Sequence, residues 1–279
     1  MAKALVMVLV VGLFGYGAWW TCQRHPEWTS QLEEVLPLGE FRTLEIRYTA
    51  DQIMESCRKE LLKSNRHRYL ESSLKFYPYL LMEVKYSLNS KKTHESQILW
   101  DLCDGEMVLD AKSWEKTHGF GDCMIVSADK NEFKVIHCLA KRGGGLDREG
   151  LVRELHLEHE MLDLLMERLR KKHMVVFAGN RYRLHLQNPR LQTLPSTKME
   201  ERLVSKTGKQ MQKVSKRFSF SQVERLAKAA FGEDFSVRYT TDIYLPVHEI
   251  VVENPDGSLH TSLWNALNGK RIIYSHAVD

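Results

Sequence analysis

The chain has 279 residues, room for two or three small domains. Its 43% hydrophobic and 27% charged residues exclude wholesale disorder, and a formal charge of +4 is too small to mark a nucleic-acid protein without a clustered basic face. The cysteines Cys22, Cys57, Cys103, Cys123 and Cys138 include no CxxC pair. That argues against structural zinc and for buried free thiols, or for a disulfide or two if the body lies in an oxidising compartment.

From Ala4 to Trp20 there is no charged residue, and Trp19 and Trp20 close the run. With Thr21 and Cys22 the stretch reaches the lower length limit for crossing a bilayer, and paired tryptophans suit the headgroup layer. A transmembrane anchor over 4–22 is therefore expected. The competing reading is a cleaved signal peptide with Ala4–Phe14 as its apolar region, but the apolar run continues past Gly15 and Gly17. Lys3 before the span against Arg24 after it tilts the prediction toward an extracytoplasmic body, with the cytoplasmic alternative left open.

Two later stretches, 43–115 and 217–279, read as copies of one unit. Leu99-Trp100-Asp101-Leu102-Cys103-Asp104-Gly105 aligns with Leu263-Trp264-Asn265-Ala266-Leu267-Asn268-Gly269. Upstream, Glu83 is matched with Glu249. Thr49 with Gln52 and Ser219 with Gln222 are capping boxes, each opening a helix. Strands are expected at 80–86 and 96–102 in one copy, and at 243–252 and 258–264 in the other. Asn254-Pro255-Asp256-Gly257 joins the second pair. Asp104-Gly105 and Asn268-Gly269 predict tight hairpins with positive φ at both central positions. Each unit is thus expected to be a helix packed on its own small antiparallel sheet. Asp101, Asp104 and Asp110 do not read as a cation site, because the second copy carries amides at two of these positions. Trp100 and Trp264 read as core anchors. In outline this helix, meander and Asn265-to-Gly269 ending resembles the PepSY-type modules of envelope proteins, which implies an extracytoplasmic, non-catalytic interaction module.

Residues 128–189 follow a different pattern. Phe133, Val135, Ile136 and Leu139 line one helix that stops at Gly143-Gly144-Gly145, and Asp147 caps a second carrying Leu151, Val152 and Leu155. A third helix runs through Met161, Leu162, Leu165 and Leu169. Met174–Phe177 and Arg181–Leu186 then form a hairpin across Ala178-Gly179-Asn180. This order resembles a winged helix, which implies DNA binding through the third helix and the wing. Glu158, Glu160 and Asp163 stand at the front of that helix, however, where phosphates would repel them. Protein contact is the expected use, with nucleic acid disfavoured. The spacing of His156, His159 and Glu160 fits neither HExxH nor HxxEH. With no P-loop, GxGxxG or GxSxG present, no cofactor or metal is expected. Residues 190–216 read as a basic linker, or else as a patch for anionic lipid or an acidic partner.

The expected fold class is α+β: a transmembrane helix, then two helix-plus-sheet units flanking a winged-helix-like three-helix segment. The expected function is that of a single-pass, non-catalytic envelope protein acting through protein contact. Its candidate interaction surface is Arg181, Arg183, Glu160, Asp163, Lys206, Lys209 and Lys213. The alternatives are a membrane-tethered DNA-binding regulator, or an enzyme whose non-contiguous site uses Cys123, His118 or Glu83.

Overall fold

A computed structural model describes residues 41–273 except 90–91, 144, 187, 207–210 and 233. The expected anchor, 4–22, lies outside the described residues, among which no helix is long and apolar enough to cross a membrane. The described chain is a mixed α+β fold built on one large sheet with seven helices.

The sheet grows outward from two long strands, β2 (Arg68–Asn89) and β10 (Ser236–Glu253), paired antiparallel along nearly their whole length. Beyond β2 lie β3 (Lys92–Asp101), β4 (Met107–Asp110) and β5 (Glu115–Lys116); beyond β10 lie β11 (Leu259–Asn265) and β12 (Arg271–Ile272). Both long strands start well before the expected bounds: β2 runs back through Pro78, which ordinarily ends a strand, and β10, whose expected span already held Pro246, runs back to Ser236. The prolines are tolerated because each falls where its strand changes neighbours. On β2 the ladder to β3 begins at Tyr79, while the short parallel strand β9 (Gln212–Lys213) pairs at Lys75 and Phe76. On β10 the ladder to β11 begins at Val247, while β1 (Phe41–Leu44) pairs in parallel at Ile243 and Tyr244. The edge strand β8 (Leu203–Lys206) then pairs with β1.

The two ends of the sheet match bond for bond. Arg47 N and Tyr48 N both donate to Ala266 O, and Arg217 N and Phe218 N both donate to Leu102 O. Leu102 N donates to Pro78 O, and Ala266 N to Pro246 O. The capping boxes form as expected: Thr49 caps α1 (Ala50–Ser56), which continues into α2 (Arg58–Leu61), and Ser219 caps α7 (Phe220–Phe231). Neither helix covers its own hairpin. Ile53 and Leu61 pack with Ile250, Val252 and Trp264 of β10–β11. Val223, Leu226 and Ala227 of α7 join the core that contains Leu80, Met82, Ile98 and Trp100 of β2–β3. The exchange follows from the bonds at Tyr48 and Phe218, which start each helix over the opposite turn.

Two further expectations change. Positive φ occurs at Gly105 and Gly269 only, not at the residue before each, so the turns are wider than two-residue hairpins. They close through Asp101 N to Glu106 O and Asn265 N to Lys270 O. The ladders place Asp101 opposite Tyr79 and Asn265 opposite Val247, so Glu83 corresponds to Val251 and Glu249 to Leu81. The acids at 83 and 249 are therefore not counterparts.

Between the hairpins come α3 (Phe120–Ile125), α4 (Lys130–Arg142), α5 (Arg148–Leu155) and α6 (His159–Lys171), followed by the hairpin β6 (Val175–Ala178) and β7 (Arg181–Leu184). Asp129 and Asp147 cap α4 and α5. Leu146 exchanges both backbone bonds with Tyr182, adding a third short strand to the hairpin. Gly145 is required beside it: its φ is +84°, and a Cβ there would lie 2.6 Å from Tyr182 O. Phe133, Ile136, Leu151, Leu162 and Leu165 share one core with the face of β2–β3. Residues 190–216 are not a free linker. Thr197 is buried, donating to Val108 O and accepting from Leu99 N, and β8 and β9 lie within the sheet. A polar sequence concealed this, because a strand held through its backbone needs no apolar periodicity.

Candidate functional site

The most unusual chemistry in the interior lies at the turn after β3. Asp101 is fully buried, and its Oδ1 accepts from Cys103 N at 2.7 Å, which bends the chain into the turn. Its Oδ2 accepts from Lys116 Nζ at 2.6 Å, and Asp104 Oδ2 accepts from the same ammonium at 2.7 Å. Asp104 also takes Glu106 N at 3.0 Å. Beneath the ammonium lies the Tyr79 ring, whose hydroxyl accepts from Trp114 Nε1 at 3.2 Å. Burial, then the Asp101 charge, pushes Asp104 up to about 7. Burial alone would depress Lys116, but the two carboxylates outweigh it and hold the group as an ammonium. Burial, with Asp101 second, also drives the Cys103 thiol far up, so it is no nucleophile.

At the other end of the sheet Asn265 and Asn268 make the same backbone bonds, to Leu267 N and Lys270 N. The carboxylates of one turn and the amides of the other therefore share turn geometry, while the first alone has a lysine. Sequence reading recognised the turns and missed Lys116. The available signal was the acid-to-amide difference itself, since two buried carboxylates require a cation. Asp110 stays outside this group, accepting from Lys112 N and Ser113 N on the surface. Among the described residues no set of His, Cys, Asp and Glu converges as metal ligands.

Next to the turn, Glu106 is buried and accepts from Thr117 Oγ1, Gly119 N and Gly121 N. It thus satisfies the free N–H groups at the start of α3. Gly121 has to be glycine, because a Cβ there would stand 2.1 Å from Asp104 O. Cys123 is fully buried in α3, with its thiol raised by burial and then by Glu106. Glu83 is exposed on β2 and His118 is exposed before α3, so these three residues form no hydrogen-bonded group. Cys57, Cys103, Cys123 and Cys138 are free thiols.

The surface residues singled out from sequence fall into two places. On α6, Glu160 is exposed, while Asp163 is held in a two-pronged pair by Arg148 at 2.8 and 2.6 Å. The hydrogen bond from Arg148 keeps Asp163 below the usual carboxylate range. The same helix exposes Leu164 (58%), which sequence reading did not single out, and Met161 (45%), which it grouped with the buried Leu162, Leu165 and Leu169. Their spacing puts them on one face, next to Glu160 and Glu167. Along the hairpin, Arg181 pairs across from Ala178 and Arg183 from Val176, so both arginines stand on the outer face with an exposed valine. Phe177 near the tip is half exposed, and its ring meets that of Tyr182 at 4.8 Å, tilted by 49°.

Lys206 and Lys213 come together elsewhere, over the rings of β1, β2 and β10. Lys206 Nζ lies 5.6 Å from the Phe76 ring, and Lys213 Nζ lies 4.7 Å from Phe41 and 5.2 Å from Tyr244. Lys209 lies outside the described residues. No known family matches this chain, and neither curated proteins nor solved structures give a match.

Proposed function

We propose that the chain is a single-pass membrane protein that acts by binding a protein partner, without catalysis of its own. The observation that carries this is the exposed face of α6. In a DNA reader the corresponding face needs donors and cations. Here it presents Met161 and Leu164 with Glu160, while the cations around it are bound to acids: Arg148 to Asp163, Lys171 to Glu167 and Arg168 to Asp129. An apolar pair with an acidic margin suits an apolar and basic protein surface and repels phosphate.

On this reading 4–22 is the anchor and the body lies on the extracytoplasmic side. Residues 43–115 and 217–279 are copies of one unit, as the matched bonds of Tyr48 and Phe218, the matched capping boxes and the prolines at 78 and 246 support. Residues 128–189 are a winged-helix-like module, supported by the three helices, the hairpin and the Leu146 bridge. The reciprocal placement of α1 and α7 makes the sheet a rigid frame, and the module is held on it by a shared core.

The test is a photo-cross-linker at Leu164 in the membrane-bound full chain, with Lys134 on α4 as the reference position. A discrete protein adduct specific to position 164, weakened by Met161→Lys, is expected. Adducts to nucleic acid, together with a shifted DNA duplex at low salt, would replace this reading with the DNA-binding one. A reporter at the C-terminus, active on one side of the membrane only, decides the orientation.

A further inference from the structure

The place where the chain enters the fold is cationic and aromatic at once. Phe41 opens β1, and its register partner on the edge strand β8 is Lys206. The Phe41 ring meets Phe76 at 5.2 Å and Tyr244 at 5.3 Å, both edge-on. Lys206 and Lys213 lie over this cluster, and Arg202 is exposed next to the same edge strand, while Arg42 alternates to the opposite face of β1. The acids of the neighbourhood are largely used. Glu201 is bound by Arg47 and Asp242 by Lys216, which leaves Glu45 and Glu200 as the remaining carboxylates. Among the described residues Arg42, Arg202, Lys206 and Lys213 make no ion pair.

We propose that this patch, Lys206 and Lys213 over Phe41, Phe76 and Tyr244, seats the body on the anionic phospholipid headgroups of the membrane that holds it. The inference rests on the reading of 4–22 as an anchor. Residues 23–40 then join Phe41 to the bilayer by a tether of at most about 60 Å. The point of entry is the part of the body tied to that tether, so it samples the headgroup layer more than any other face. Cations near an anionic surface are attracted within about a Debye length, roughly 10 Å at 0.1 M salt, and here the buried Phe76 and Tyr244 rings form only the floor that holds the lysines at the surface. A lysine lying on a ring is poised for this role, because it keeps its charge without committing it to a carboxylate.

The experiment reconstitutes the full chain into vesicles of phosphatidylcholine alone, or with about 30% phosphatidylglycerol, and reads lysine acylation by mass spectrometry. Flotation with both vesicle types, with Lys206 and Lys213 acylated about threefold more slowly on the anionic ones and Lys134 and Lys171 unchanged, is the expected result. The protection should disappear in high salt. Flotation with both but no selective protection, or equal protection of all four lysines, overturns the patch while leaving the anchor standing. Flotation with anionic vesicles only removes the anchor and retains the patch. Flotation with neither removes both.

Discussion

Replacing Lys116 by methionine tests the buried charge site most directly. The wild-type ammonium bridges Asp101, fully buried, and Asp104, 8% exposed, at 2.6 and 2.7 Å. Methionine fills similar space and leaves two carboxylates facing each other without a cation. Removing one partner from a buried ion pair costs about 3–5 kcal/mol. The lower end applies here, because Cys103 N still donates to Asp101 and Glu106 N to Asp104. The deficit has a pH signature. Asp104, held above its unfolded range, stabilises the fold while protonated and loses that contribution as pH rises, so the loss should grow from pH 5 to pH 8. Urea unfolding of the full chain in non-ionic detergent, followed by tryptophan fluorescence at both pH values, measures it. Adding Asp101→Asn and Asp104→Asn, which copies the Asn265 and Asn268 arrangement, should recover most of the loss. A deficit below about 1 kcal/mol that is also flat with pH would refute the account of Lys116 as the obligatory counter-charge.

Three further outcomes follow from the same packing. Asp104→Asn alone keeps the bond to Glu106 N and removes a group that titrates near 7. Between pH 5 and 8 its stability relative to wild type should rise by about 2 kcal/mol, read from urea midpoints. Gly121→Ala drives a Cβ into Asp104 O and should cost about 3 kcal/mol or prevent folding, visible as a lowered Tm. Val223→Ala on α7 should lose about 1–3 kcal/mol and raise the acrylamide quenching of Trp100, since α7 seals the core of the opposite hairpin. Unchanged quenching would place the seal elsewhere.

Local chemistry was the legible part of the sequence. Thr49, Ser219 and Asp147 announced their helices because a cap is decided by residues within one turn. The helical segment and its hairpin were readable from 3.6-residue spacing and one Gly-Asn turn. Pairing across the chain was hidden. Nothing near Ile53 says that it will meet Trp264 rather than Trp100, because both hairpins offer the same apolar face. Pro78 disguised the first half of β2, and Thr197 disguised the buried path of a polar segment. On the surface, charge drew attention to Glu160 and Asp163, while the exposure of Met161 and Leu164 depended on which side of α6 the core occupied.

The exchange of α1 and α7 sets a timetable for synthesis. When Trp100 leaves the ribosome, the helix that will cover its core is still unmade, and Val223 follows only after about 120 more residues. At about 5–20 residues per second the first hairpin waits roughly 6–25 s for α7, its apolar face covered until then only by α3 to α6. Through that interval its long, well-patterned strands are open to pairing with another nascent chain. An identical chain offers the matching strand, so crowded translation of this protein should produce intertwined dimers as its characteristic error.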